Sequence, residues 1–333
     1  MVFNYQEICS DLLDDLPERT RKVLVKRFGL GTGKKESLQS VGEELGISRE
    51  RVRQIQEAGL FELRKRAEKY RPIFSFFSNQ LKTTGNLRKE DILLKILGLQ
   101  SFEQEVFFLL SLADGFDRFL ETQRFHTLWT IDRNALDLAQ KATEKVYQVL
   151  RKKSRPVETE ELESFGGMKL NILLAYLEVS KFIQKGPQGL WGLSDWPEIN
   201  PKGVRDKAYI IFTREKRPLH FREVAQLINE SGLFNSTKKA HPQTVHNELI
   251  KDERFVLVGR GLYALEEWGY QPGTVKDIII KIFKEVQKPL TKEEIIEKVL
   301  EQRFVAKNTI LLNLHDRKYF RRNSQGKYEP LLS

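Results

Sequence analysis

Three stretches of this 333-residue chain end alike, and that internal repeat limits the available folds more than any other feature. The endings are Gly189-Leu190-Trp191-Gly192-Leu193-Ser194-Asp195-Trp196, Gly261-Leu262-Tyr263-Ala264-Leu265-Glu266-Glu267-Trp268 and Gly326-Lys327-Tyr328-Glu329-Pro330-Leu331. Each follows an apolar-alternating run: Lys181-Phe182-Ile183-Gln184, Phe255-Val256-Leu257-Val258 and Tyr319-Phe320-Arg321-Arg322. A strand, a Gly-bearing turn and a second strand predict a β-hairpin. Upstream of each hairpin lies a Pro-led second helix, at Arg155-Pro156-Val157, Arg217-Pro218-Leu219 and Lys288-Pro289-Leu290. A first helix precedes each proline (about 145–152, 204–213 and 274–286), and a third follows (about 169–178, 242–251 and 307–316). Three helices and a terminal hairpin make a winged-helix unit, here in three tandem copies over 141–198, 199–270 and 271–333. The Trp or Tyr of each ending is expected to anchor the hairpin to its own helices.

Residues 73–140 carry Phe and Leu at helical spacing (Ile92, Leu93, Ile96, Leu97; Phe107 to Leu110, Leu112) and predict a helical connector. Residues 1–72 read as a separate helix-turn-helix. Leu16-Pro17-Glu18 opens a helix with Pro in its first turn and an acid at the positive end of its dipole. That helix stops at Gly29; Ser37 then caps Leu38 to Leu45, Gly46 breaks it, and Ser48 caps the next. From Arg49, helical spacing turns Val52, Ile55, Leu60 and Leu63 inward and Arg49, Glu50, Arg53 and Gln54 outward. The second helix of such a pair can enter the major groove and present its first residues to base edges. Arg pairs bidentately with guanine, Gln with adenine, and Glu accepts from cytosine. An ordinary helical hairpin with a solvated charged face has the same spacing. Gly33-Lys34 is no phosphate-binding loop, because that motif needs Gly where Phe28 stands and Ser or Thr where Lys35 stands. The fold class is therefore mainly α and multi-domain: helix-turn-helix, helical segment, three winged helices.

Leu16-Pro17-Glu18-Arg19, Arg27-Phe28-Gly29-Leu30, Ser40-Val41-Gly42-Glu43-Glu44-Leu45-Gly46 and Ser48-Arg49-Glu50-Arg51-Val52-Arg53-Gln54-Ile55 together resemble region four of the bacterial sigma-70 family. That resemblance implies a domain that reads the −35 promoter element and docks on the RNA polymerase flap. By it, Arg49, Glu50 and Gln54 are base readers, Arg51 and Arg53 make backbone or neighbouring contacts, and Ser48 sits at the cap. Only 15 residues precede the match and none resembles the region that melts the −10 element, so the chain is not expected to act alone as a full sigma factor.

The second winged helix carries Asp206-Lys207-Ala208-Tyr209, Arg217-Pro218-Leu219-His220-Phe221-Arg222-Glu223-Val224-Ala225, Ile228, Thr244-Val245-His246-Asn247-Glu248-Leu249 and the Phe255 to Leu265 hairpin. These resemble the HARE-type helix-turn-helix, a family that includes the N-terminal domain of the RNA polymerase delta subunit. Its third helix offers Gln243, Thr244, His246, Asn247 and Lys251, and its wing Arg254 and Arg260, types that suit phosphates and base edges. His220 and His246 read as packing or capping residues. In the third copy, Lys307, Asn308, Arg317, Lys318, Arg321 and Arg322 form a basic set.

Charge agrees with these motifs. The net charge is +10, of which residues 16–72 hold +7 by count and residues 1–15 hold −4. A basic balance favours polyanions. One cysteine, Cys9, excludes an internal disulfide framework and a cysteine-based zinc site. The five histidines show no ligand spacing, and no run approaches the ~20 apolar residues of a membrane helix. Without a signal segment, a cytoplasmic, nucleoid-associated protein is expected. No nucleophile and base, and no carboxylate pair, emerge. The sequence thus predicts a non-enzymatic bacterial transcription protein without metal or cofactor. It would bind double-stranded DNA through residues 48–64, with Gln243, Thr244, His246, Asn247 and Arg260 adding DNA contacts, and RNA polymerase core as the second partner. Two other functions fit: a delta-like accessory subunit that binds polymerase rather than specific DNA, and a DNA-binding helper in restriction or modification.

Overall fold

The computed structural model describes residues 3–234 and 239–331, in two compact units divided near residues 186–196. In the first unit, α1 (Tyr5–Asp14), α2 (Glu18–Phe28), α3 (Leu38–Leu45) and α4 (Arg49–Ala67) form the N-terminal module. The capping serines act as expected: Ser37 Oγ accepts from the Ser40 amide at 3.0 Å, and Ser48 Oγ from the Arg51 amide at 3.1 Å. Val23, Val41 and Val52, one from each of α2, α3 and α4, are buried together and fix the angle between the helices.

Downstream come α5 (Arg71–Thr83), β1 (Leu87–Lys89), α6 (Glu90–Leu97), α7 (Glu103–Leu112), β2 (Asp117–Phe119) and β3 (Leu128–Thr130). The strands pair antiparallel in the order β1-β3-β2, with Leu87 and Asp117 both opposite Thr130. The connector is therefore not purely helical; it is a further winged helix. Its strands are three residues long, and the central one, Leu128-Trp129-Thr130, is buried on both faces. No alternation marks it in the sequence. The first of the three expected copies follows as α8 (Asn134–Lys153), α9 (Thr159–Gly166), α10 (Leu170–Val179), β4 (Ile183–Lys185) and β5 (Trp191–Leu193).

The second unit holds the other two copies. One comprises α11 (Val204–Glu215), β6 (Leu219–His220), α12 (Phe221–Glu230), α13 (Pro242–Lys251), β7 (Phe255–Gly259) and β8 (Leu262–Leu265), with strand order β6-β8-β7. That is the same topology as the connector. The other comprises α14 (Val275–Val286), α15 (Lys292–Gln302), α16 (Lys307–Leu314), β9 (Phe320–Arg322) and β10 (Tyr328–Pro330). Trp191, Tyr263 and Tyr328 are buried, as the anchoring role requires.

The prolines differ from expectation in one respect. Pro156, Pro218 and Pro289 do not open the second helix; each precedes a residue that joins the sheet. The Val157 amide donates to the Trp191 carbonyl at 2.9 Å, the Leu290 amide to the Tyr328 carbonyl at 3.1 Å, and Leu219 pairs with Tyr263. Proline suits the position just before a strand, where its missing N–H is not needed. The second helices start later, at Thr159, Phe221 and Lys292.

Candidate nucleic-acid interface

The N-terminal end of α4 is built to be exposed. Val52 and Leu63 are fully buried and Ile55 and Leu60 partly so, which anchors one face of the helix. Arg49, Glu50, Arg51, Arg53 and Gln54 all face solvent, and Ser48 caps the end that carries them. Four of the five are cross-linked on the helix surface. Arg51 Nη1 donates to Gln54 Oε1 at 3.1 Å, and Arg53 donates to both carboxylate oxygens of Glu50 and also pairs with Glu57. The hydrogen bonds from Arg53 hold the Glu50 carboxyl below its ordinary range. Such exposed pairs are weak, about 0–1 kcal/mol, so bases can exchange for them at little cost. Arg49 makes no hydrogen bond or ion pair among the described residues.

In the second winged helix, Gln243, Thr244 and Asn247 are exposed on α13, with Gln243 Nε2 donating to Asn247 Oδ1 at 3.2 Å. Arg260 is exposed at the wing turn. His246 is half-buried, its ring 4.5 Å from Phe221 and 5.9 Å from Tyr263 between centroids. His220 caps α12, its Nδ1 accepting from the Arg222 amide at 3.3 Å. Both histidines pack as the sequence suggested. Arg254 does not project as a wing contact. It donates to Asp252 at 2.6 Å and to Asp206 at 3.0 Å and lies over the Tyr209 ring, which makes it a strut between β7 and α11. In the third copy Lys307, Asn308, Arg317, Lys318, Arg321 and Arg322 are all exposed, with Arg321 paired to Glu329.

Two helices at the recognition position are not available to a groove. No residue of α7 is exposed: Phe108, Leu109, Leu110 and Leu112 are buried, and α7 packs on α1, α2 and α4. Phe28 meets Phe107 and Phe108 at 5.8 and 5.1 Å, and the Tyr5 hydroxyl donates to the Leu97 carbonyl at 2.7 Å. Along α10 only Asn171 is exposed. Asn171 Nδ2 donates to the Thr83 carbonyl at 2.5 Å, Tyr176 to the Gly85 carbonyl at 3.0 Å, and Glu178 pairs with Arg88 at 3.4 Å. The connector and the first copy are thereby joined to each other and to the N-terminal module. The polar reading surfaces that remain lie on α4, α13 and α16.

The family profile described as "Sigma-70, region 4" matches residues 12–65, and the HARE-HTH profile, described as an ASXL and restriction endonuclease helix-turn-helix domain, matches residues 204–268. An RNA polymerase principal sigma factor HrdD of Streptomyces viridifaciens is 41% identical over 61 residues, 18% of each chain. An RNA polymerase sigma factor SigA of a Bacillus species is 46% identical over 59 residues, 18% of this chain and 16% of that protein. The chain thus spans under a fifth of the length of these relatives. Among the described residues no helix is long and apolar enough to cross a membrane. Both matched domains are DNA-binding types, and the first belongs to transcription. The chain joins a sigma-70 region 4 domain, at residues 12–65, to a HARE-type helix-turn-helix domain at residues 204–268.

Proposed function

We propose that the protein is a sequence-specific DNA-binding protein of bacterial transcription initiation, acting by binding rather than by catalysis. It reads a −35-like duplex element through the start of α4. Arg49, Glu50 and Gln54 face the base edges, and Arg51 and Arg53 hold the flanking backbone. The observation that carries this reading is the capped, fully exposed polar end of a helix whose opposite face is locked by Val52 and Leu63. The exposed faces of α13 and α16 add duplex contacts, and several modest contacts on one chain raise affinity through effective concentration. RNA polymerase core is the second partner, as the sigma relatives' names suggest, and the protein works in the cytoplasm at the nucleoid.

The test is binding of the whole chain to a −35-like duplex and to a scrambled duplex across a salt series. A preference that survives about 0.2 M salt, where purely phosphate-driven binding collapses, is expected. Arg49→Ala with Gln54→Ala removes it, each lost bidentate contact lowering discrimination by about 1–3 kcal/mol. Equal affinities that fall together with salt would refute base reading. Retained polymerase binding by the double variant would separate the two partners.

A further inference from the structure

In the second winged helix a hollow of ≈ 390 Å³ opens between the start of α12, the middle of α13 and the wing turn. It is lined by His220, Phe221, Arg222, His246, Arg260 and Gly261. The rings form a ladder: His220 and His246 each lie 4.5 Å from Phe221, inclined by 32° and 33°. The wing closes on this ladder at Gly261, where any Cβ would come within 2.6 Å of His220 Nε2. Two cationic side chains stand at the rim. Arg222 lies 5.8 Å from the Phe221 centroid, and both Arg222 and Arg260 are exposed.

What marks the hollow is unused donor capacity. Elsewhere in the same winged helix, Arg205, Arg214, Arg217 and Arg254 all have carboxylate partners. Among the described residues, the guanidinium groups of Arg222 and Arg260 and the ring of His246 make no hydrogen bond or ion pair. His220 spends Nδ1 on its cap and has no protein partner at Nε2. No carboxylate lines the space. The nearby acids Glu223 and Glu248 are engaged by Arg217 and Arg205. Donors from three elements that converge without an acceptor call for an anion with several oxygens, and a guanidinium fork matches phosphate geometry.

We propose that this hollow is a phosphate seat, in which Arg222 and Arg260 clamp one phosphate of a nucleic-acid strand and the His220 and His246 edges donate to it. It deepens the reading of this unit as a DNA contact and moves that contact from the outer face of α13, where Gln243 and Asn247 bond to each other, to the α12–wing hollow. Phosphodiester and terminal phosphomonoester share the required chemistry.

The experiment uses the full chain with Arg222→Ala/Arg260→Ala and with Arg222→Lys/Arg260→Lys. Duplex affinity is measured against salt for one duplex with hydroxyl ends and for the same duplex carrying 5′-phosphates. The alanine pair is expected to lower the log–log salt slope by about two, the lysine pair to keep it, and the sequence preference carried by α4 to stay unchanged. An effect confined to the phosphorylated duplex assigns the seat to a strand end; an effect on both assigns it to the backbone. Inorganic phosphate titrated against the Gly261 amide signal decides the matter even if the chain binds no duplex, which would overturn the proposed function alone. An unchanged slope together with an unshifted Gly261 signal, in wild type and alanine pair alike, would overturn the seat.

Discussion

Arg303 offers the sharpest test of how the last two winged helices are held together. It is only 3% exposed and has no carboxylate partner. Its Nη1 donates to the Leu257 carbonyl of β7, and its Nη2 to the carbonyls of Gln271 (2.8 Å) and Gly273 (2.5 Å) in the segment leading to α14. The next residue continues the seam, the Phe304 amide donating to the Val258 carbonyl at 2.8 Å. Three charge-assisted hydrogen bonds at about 1.5–3 kcal/mol each would give ~4–9 kcal/mol. Two effects reduce that. Burying a guanidinium without a counter-ion costs several kcal/mol, and burial does lower its pKa. Leu257 and Gly273 are themselves exposed, so their carbonyls regain water once the arginine is gone. The net loss for Arg303→Met is then about 2–4 kcal/mol, at the low end of the cost of breaking a buried charge site. Arg303→Lys keeps the charge but loses the fork, and about half of that loss is expected. The assay is hydrogen exchange in the full chain, read at the Phe304 amide, because it reports local opening without assuming that the whole protein unfolds in one step. Faster exchange at Phe304 in the order wild type, Lys, Met is expected. Unchanged exchange in the Met variant would refute the reasoning and mean that desolvation cancels the clamp.

Three further outcomes follow from individual contacts. Gly59→Ala gains about 1 kcal/mol of helix propensity. Its Cβ, however, would sit 2.7 Å from Thr20 Cγ2 and 3.1 Å from Leu24 Cδ1. Overpacking of that kind costs about 1–3 kcal/mol, so a net loss near 1 kcal/mol is expected in thermal unfolding, with Thr20→Ser added to Gly59→Ala restoring it. Cys9 is 4% exposed, and burial, then the Glu105 charge, hold its thiol protonated; labelling by a thiol reagent should therefore track opening of the N-terminal module, and prompt labelling of the native protein would contradict this packing. Hydrogen bonds from Arg254 hold the Asp252 carboxyl below its ordinary range. Its contribution is present above about pH 4, the unfolded value, and is lost as pH falls through the lower folded value. Asp252→Asn should flatten the acid limb of the second unit's stability, and an unaltered limb would count against the strut.

The parts legible in the sequence are those where a local signal and the tertiary environment agree. Ser37 and Ser48 cap the helices they were expected to cap, and α3 runs from Leu38 to Leu45 as read. The copies that end in Trp191, Tyr263 and Tyr328 were visible because each carries a proline before its sheet residue and a glycine in its wing. The connector has neither signal. Gly85 and Asn86 stand where the other units have a basic residue and proline, and Asn86 adopts a φ of 69°. Its wing loop is long, and β3 is buried on both faces, so its residues merge with the neighbouring apolar runs. Arg254 misled for another reason: an arginine in a wing reads as a surface contact until Asp206, far away in sequence, is brought to 3.0 Å.

A helix-turn-helix unit can present its third helix or spend it, and the polarity of that helix decides which. A helix apolar all round must be covered. Glu103–Leu112 carries no exposed residue, and Leu170–Val179 has only Asn171 and Glu178 to offer water, with Glu178 turned to Arg88. Both are consumed in packing, one against the N-terminal module and the other against the connector. By contrast, α13 exposes Gln243, Thr244, Asn247 and Lys251, and α16 exposes Lys307, Asn308 and Thr309. That division was readable from composition alone, because the third helices differ in polarity far more than the wings do. It assigns the two middle winged helices a scaffolding role: they carry α4 on a broad base whose core runs from Tyr5 to Trp129. Charged substitutions at Leu109 or Leu173 should consequently disrupt folding of the first unit, whereas charge changes at Thr244 or Lys307 should leave folding intact and register only in binding.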